Sequence, residues 1–251
     1  MPPAAPSAPV RRALGALGVA SFAFALAGAA LELLAGPGYR LGWWPLGTGL
    51  RALGWGAIAA AVAGAFGLVA ALGGLRVGLR RTLALGGAAF VLGIAAAGPP
   101  AYLWWHVQRL PPLHDISTDT AHPPAFVALL PARRAAPNGA DYASADAALQ
   151  RRGYPDIAPL LLPDRTPAAT FERARVAARG LGWRVAAEAP QEGRIEATAT
   201  TLLFGFQDDV VVRIAAQGAG SRVDVRSASR IGRSDFGVNA ARVRAFLARL
   251  R

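Results

Sequence analysis

Three uninterrupted apolar runs fill the first part of the chain, and short alternations of apolar and polar positions fill the rest. Ala13 to Ala35 is apolar apart from Ser21 and Glu32, Ala52 to Leu75 carries no charge, and Leu83 to Trp105 ends in two prolines, Pro99 and Pro100, and the aromatic group Tyr102, Trp104 and Trp105. A helix over the first run is about 35 Å long, enough to cross the hydrocarbon core of a bilayer. The pattern therefore predicts three transmembrane helices at about 13–35, 52–75 and 83–105, within a region 1–105. Gly56, Ala60 and Gly64 recur every four residues and, with Gly15, Gly18 and Gly28, supply the small positions by which apolar helices pack in lipid.

From His106 to Pro167 the chain is rich in proline and poor in periodicity, which predicts a loop-rich segment with one short strand at Ala125 to Leu130 and a helix near Ala143 to Arg151. Regular structure resumes at Thr166 and Pro167, an N-cap followed by a first helical position. Phe171, Ala174, Ala178 and Leu181 then share a face, and Gly180 and Gly182 close the helix. Four strands are expected over Trp183–Ala189, Arg194–Phe206, Asp209–Ala216 and Arg222–Ile231, the last two joined as a hairpin through Gln217–Ser221. A final helix over Asp235 to Arg249 aligns Asn239, Val243, Phe246, Leu247 and Leu250 in one stripe. The expected architecture is a three-helix transmembrane region followed by a C-terminal α+β domain, 106–251, built as an antiparallel sheet with helices packed on one face.

Charge adds an orientation. Up to Trp105 there are seven arginines and one acidic residue, Glu32; the remainder holds 20 arginines and 14 acidic residues. The leader and the Arg76–Arg81 loop carry five arginines, against Arg40 and Arg51 in the first loop, so the positive-inside rule puts the N-terminus in the cytoplasm and the C-terminal domain outside. Cleavage of the first span as a signal peptide, near Ala25, Ala27 and Ala29, would leave the domain on the same side. The chain has no lysine, which together with its Ala, Gly and Pro content reads as the codon usage of a GC-rich bacterial genome. The simplest location is a bacterial inner membrane with a periplasmic domain. The absence of cysteine excludes disulfides, thiolate metal sites and a cysteine nucleophile.

Four stretches carry a resemblance: LPPLHDISTDTAHPPAF (110–126), YPDIAPL (154–160), TTLLFGFQDDVVVRI (200–214) and SRVDVRSASRIGRSDFGVN (221–239). In this order they resemble the bacterial and plastid family called domain of unknown function 1499, over about His106 to Leu250. The resemblance implies a domain preceded by hydrophobic helices in membrane-anchored members. It implies no activity.

Several groups carry candidate chemistry. His106, His114 and His122 recur every eight residues near Asp115 and Asp119, a spacing that matches no metal-ligand signature. Ser227, Ser229, Arg230, Arg233, Asp235 and Asn239 cluster where the last strand meets the last helix, and a ligand pocket there would use Arg230, Asp235 and Asn239 together with Asp119. Capping by Ser234 or Asp235 explains part of the same cluster. Asp208 and Asp209, with Asp119 and Asp156, are carboxylates whose sequence adjacency fits a turn better than acid/base catalysis. Arg213, Arg222, Asp224 and Arg226 alternate with apolar residues and predict a solvated sheet face, the alternative being a face in contact with anionic lipid or a cell-envelope polymer. Glu32 is expected near the outer interface, reaching to the headgroups or paired with the loop.

No phosphate loop, nucleophile elbow, His-Glu-x-x-His motif or basic-aromatic ladder occurs. The sequence thus nominates no catalytic residue, cofactor, metal site or nucleic acid partner. Expected partners are the lipid bilayer and an anionic lipid or envelope component. The leading expectation is a membrane-anchored binding or interaction domain that serves envelope maintenance. Two others are a hydrolase acting on an envelope lipid or glycan, and a lipid or small-solute carrier.

Overall fold

The computed structural model describes residues 7–251 and divides at Gln108/Arg109 into two compact units. The first is built of three helices, α1 (Ala8–Arg40), α2 (Leu46–Arg76) and α3 (Arg80–Val107), each long and apolar enough to cross a membrane. Every expected span lies inside a longer helix. Pro37 lies within α1, and Pro99 and Pro100 lie within α3, which runs through the aromatic group as far as Val107.

Small residues set how closely these helices approach. A Cβ on Gly28 would stand 2.8 Å from the Gly56 carbonyl and the Ala60 nitrogen, and one on Gly86 would stand 2.5 Å from the Gly67 carbonyl. α2 thus offers Gly56 and Ala60 to α1, and Gly67 and Ala71 to α3, so backbone meets backbone without intervening side chains. The same gap explains Glu32. Its stem lies against Gly56, and one carboxylate oxygen is shielded there without a hydrogen bond.

The second unit is a six-stranded antiparallel sheet: β1 (Asp115–Ser117), β2 (Leu160–Leu162), β3 (Arg184–Ala189), β4 (Arg194–Thr200), β5 (Gln207–Gln217) and β6 (Gly220–Ser229). The order is β1-β6-β5-β4-β3, with β2 also paired to β6. β6 holds β2 along its first half (Leu162↔Ser221) and β1 along its second (Asp115↔Ala228). The β5–β6 hairpin closes Gln217 on Gly220, with Gly218 at φ 59° leading its two-residue turn.

Helices α6 (Pro167–Gly180) and α7 (Val238–Leu250) cover one face of this sheet. The Thr166 hydroxyl accepts from the Ala169 N–H at 3.3 Å and starts α6, as the sequence predicts. Phe171, Ala174, Ala178, Val243, Phe246 and Leu250 pack on Ile195, Val210, Val212, Val223 and Val225 to form the core, with Trp183 stacked on Phe246.

Three expectations about elements are corrected. Ala125 to Leu130 is not a strand, because the N–H groups of Val127, Ala128 and Leu129 all donate to the Glu196 carboxylate, at 2.9–3.0 Å, and the chain then enters the short helix α4 (Leu130–Arg134). β4 stops at Thr200, since Thr201 folds back through its hydroxyl onto the Phe206 N–H. The last helix begins at Val238 rather than Asp235. The helix expected near Ala143–Arg151 is α5 (Asp146–Gly153).

Candidate functional site

β5 and β6 alternate charged and apolar side chains, and strand geometry sends successive residues to opposite faces. Two polar networks result, one beneath the helices and one on the far side. Asp208 and Asp209, adjacent in sequence, belong to different networks and cannot act as a carboxylate pair; they lie within β5 and not in a turn.

On the helical face, Asn239 at the start of α7 is fully buried. Its amide donates to the Ser229 hydroxyl at 2.9 Å and the His114 carbonyl at 3.0 Å, and its carbonyl accepts from the Ser227 hydroxyl at 2.6 Å. Arg242 donates to Ser227, to Asn239 and, at 2.7 Å, to Asp208. Asp235 accepts the backbone N–H groups of Gly237 and Asn239 at 2.9 and 2.6 Å, bonds that serve the open N-terminus of α7. Burial pushes its carboxyl above the usual 3.8 despite these two donors.

On the other face, Arg226 and Asp115 form a bidentate pair, with contacts of 2.7 and 3.0 Å, and both are almost fully buried. The Arg226 guanidinium lies between the rings of Phe126 (5.0 Å) and Tyr142 (5.6 Å) and donates to the Pro124 and Ala140 carbonyls. Burial first, and then the nearby Asp115 charge, push the Tyr142 phenol up to about 12. Asp209 accepts from Thr198 at 2.8 Å and from two nitrogens of Arg230 at 2.9 Å. Arg133, wholly buried, stands 3.8 Å from Asp209 and donates to the Ala228 carbonyl, while its Nε and Nη2 have no hydrogen-bond partner. Further along the strands Asp224 and Asp119 share Arg213 and Arg222.

This face is therefore not the solvated one that the alternation predicts. Phe126 and Leu129 pack on Val211 and Ala228, and the chain between β1 and α5 covers the charged rows. Arg213 and Arg222 keep about a third of their side chains exposed, but Asp224 and Arg226 are buried.

The four residues singled out from the sequence fall into separate sets. Asn239 and Asp235 meet through a backbone bond beneath the helices; Arg230 serves Asp209, and Asp119 serves Arg213 and Arg222, on the opposite face. No single hydrogen-bonded cluster unites them. Among the described residues no group of three His, Asp or Glu side chains is placed to hold a metal ion. Sequence reasoning missed Arg133 and Glu196, and it named Asp115 only beside the histidine repeat and Asp209 only as part of a turn, not as members of buried pairs. A charge inside or beside an apolar strand is the only signal of Asp115, Glu196 and Asp209, and patterning assigns such a charge to solvent; Arg133, in the short helix α4, has none.

A family model described as "Protein of unknown function (DUF1499)" matches residues 115–250, more than half of the chain. The chain belongs to this family. The match begins at the Asp115 that pairs with Arg226 and ends at the last residue of α7, so the DUF1499 domain comprises the whole sheet and both of its polar networks. No curated protein matches the chain.

Asp119 gives the DUF1499 domain a pH dependence. Burial pushes its carboxyl upward, but the N–H groups of His122 and Ala121 and the charges of Arg222 and Arg213 outweigh that and hold it below 3.8. A depressed folded-state pKa adds stability above the unfolded value, lost as pH falls through the folded one. Asp119→Asn is expected to cost about 1 kcal/mol at neutral pH, the scale of a partly exposed pair. Thermal melts as a function of pH should show wild type and variant converging in strong acid; a constant gap throughout would contradict the assignment.

Proposed function

We propose that this protein is a membrane-anchored binding module of the bacterial envelope, with three helices fixed in the inner membrane and the DUF1499 domain on the extracytoplasmic side. The observation that carries the reading is the mutual pairing of the domain's charged residues. Asp115 with Arg226, Asp209 with Arg230, and Asp119 and Asp224 with Arg213 and Arg222 are engaged with one another, an arrangement suited to a stiff body that presents its outer surface to a partner. Five arginines on the leader and second loop against two on the first support the orientation.

The absence of cysteine makes the test clean, because each introduced thiol is unique. Ala219→Cys, at the exposed β5–β6 turn, is expected to react with a membrane-impermeant maleimide on intact cells, and Ser7→Cys only after permeabilisation. The opposite pattern would overturn the orientation. Native mass spectrometry of the gently extracted full-length protein should then show a stoichiometric envelope lipid, glycan or protein. Its consistent absence, with no cross-linked partner in cells, would remove the binding reading.

A further inference from the structure

The two ends of the sheet differ in what they expose. β1 starts opposite Ala228, near the end of β6, and the Arg230 N–H just beyond β6 donates to Gln207 at the start of β5. The lead-in Arg109–His114, the β4–β5 turn and the β6–α7 connection therefore share one end. The hairpin turn at Gly218–Ala219 marks the other, an 11-residue strand away, about 35 Å at the rise of a β-strand.

The shared end carries apolar side chains that the core does not take up. Leu202 is 92% exposed, Leu203 37%, Phe236 46% and Val238 40%. Phe236 is placed there by a defined turn. It holds a φ of 59°, uncommon for a bulky residue, between the Ser234 hydroxyl that accepts its N–H and Gly237 at φ 81°. Beneath the turn lies Leu110, so close that a Cβ on Gly237 would stand 2.9 Å from it. Charge at this end is one-sided: Arg233 is exposed, whereas Asp235 turns its carboxylate inward onto backbone N–H groups and Asp208 is buried against Arg242.

We infer that this end of the domain sits in the interfacial layer of the bilayer that anchors the protein, with Leu202, Leu203, Phe236 and Val238 among the lipid chains and Arg233 against lipid phosphate. Two observations favour lipid over a protein partner. The chain passes from α3 to Arg109 through Gln108 alone, and α3 ends in Tyr102, Trp104 and Trp105, residue types that settle at headgroup level. An apolar tip with a basic rim is also the composition that anionic membranes bind. The inference rests on the membrane-anchored reading above and adds the surface by which the domain meets the membrane.

The test uses the full-length protein in nanodiscs of phosphatidylethanolamine and phosphatidylglycerol, with an environment-sensitive fluorophore on single cysteines at Leu202, Phe236 or Ala219. With a nitroxide-labelled lipid as quencher, the probes at 202 and 236 should be quenched several-fold more than the probe at 219 and emit further to the blue. Equal quenching at the three positions would overturn the inference, as would probes at 202 and 236 that are shielded from a water-soluble quencher yet untouched by the lipid nitroxide, the mark of a protein cover. Using two positions on separate turns guards against disturbance of the Phe236 turn itself. Impermeant labelling of Ala219→Cys in cells reports the sidedness independently, so failure of the tip contact and failure of the anchored reading remain distinguishable.

Discussion

Arg226→Ala is expected to destabilise the DUF1499 domain by about 3–5 kcal/mol, the usual cost of stripping one partner from a buried pair. Asp115 would be left buried without its guanidinium bonds. A loss of that size is a large share of the roughly 5–15 kcal/mol that holds a typical domain together. The effect should also be local. Arg226 ties the cover to the sheet through the Pro124 and Ala140 carbonyls and the rings of Phe126 and Tyr142, so hydrogen exchange should accelerate first across residues 118–143. Arg226→Lys should rescue little, because an ammonium provides neither the fork that meets the carboxylate nor a plane to lie between two rings. Urea unfolding and exchange mass spectrometry read both quantities. A loss under about 1 kcal/mol with an unchanged cover would show that the pair is not what holds that segment.

Asp209→Ala should be equally damaging, and Arg133→Met should not. Asp209 faces two guanidinium groups at once, Arg230 through two bonds and Arg133 at 3.8 Å. Removing it leaves Arg133 fully buried with no countercharge in contact, at a position where burial, opposed by Asp209 and Asp115, already pushes its pKa down. The expected cost is again about 3–5 kcal/mol. Arg133→Met instead removes a cation whose Nε and Nη2 have no bonds to lose, and Asp209 keeps Thr198 and Arg230. The bond to the Ala228 carbonyl, about 1 kcal/mol, is forfeited together with the 3.8 Å ion pair to Asp209 and the guanidinium contact with the Phe126 ring, a loss offset in part by relief of the buried cation and by the apolar fit of methionine against Phe126. Chemical denaturation of the two variants side by side decides the matter. Equal losses would mean that Arg133 contributes through its charge and not through its volume.

How far the sequence reveals this protein depends on the range of the interactions involved. The three apolar helices are legible because each carries its signal within its own residues, and the Thr166–Pro167 start of α6 and the β5–β6 hairpin are equally local. β1 and β2 are not legible, since each is three residues long in a proline-rich stretch and exists only by pairing with β6. The charged face is misread for a related reason. Period-two alternation shows that Arg222, Asp224 and Arg226 share a side, but whether that side is wet depends on a segment 100 residues earlier that has no periodicity of its own. Glu196 is the clearest instance: three consecutive N–H donors from that segment meet its carboxylate, and nothing around Glu196 in the sequence announces them. Asp235 and Asn239 were legible as a pair because they lie in one turn; Asp119 and Arg230 had no local reason to join them.

The pairing of β1 with β6 has a consequence for how the protein is made. Asp115 and Arg226 are 111 residues apart, so the first strand and the last close the domain on each other. Contacts of such separation form late and slowly, because the intervening chain must be ordered first. The three helices are synthesised and can enter the membrane long before β6 exists, while the segment with Asp115, Asp119 and Phe126 waits without its sheet. Premature termination anywhere before Ser229 would leave the three apolar helices joined to an unfinished, aggregation-prone chain. Quality control of this protein therefore turns on the stretch of the message that encodes β6 and α7.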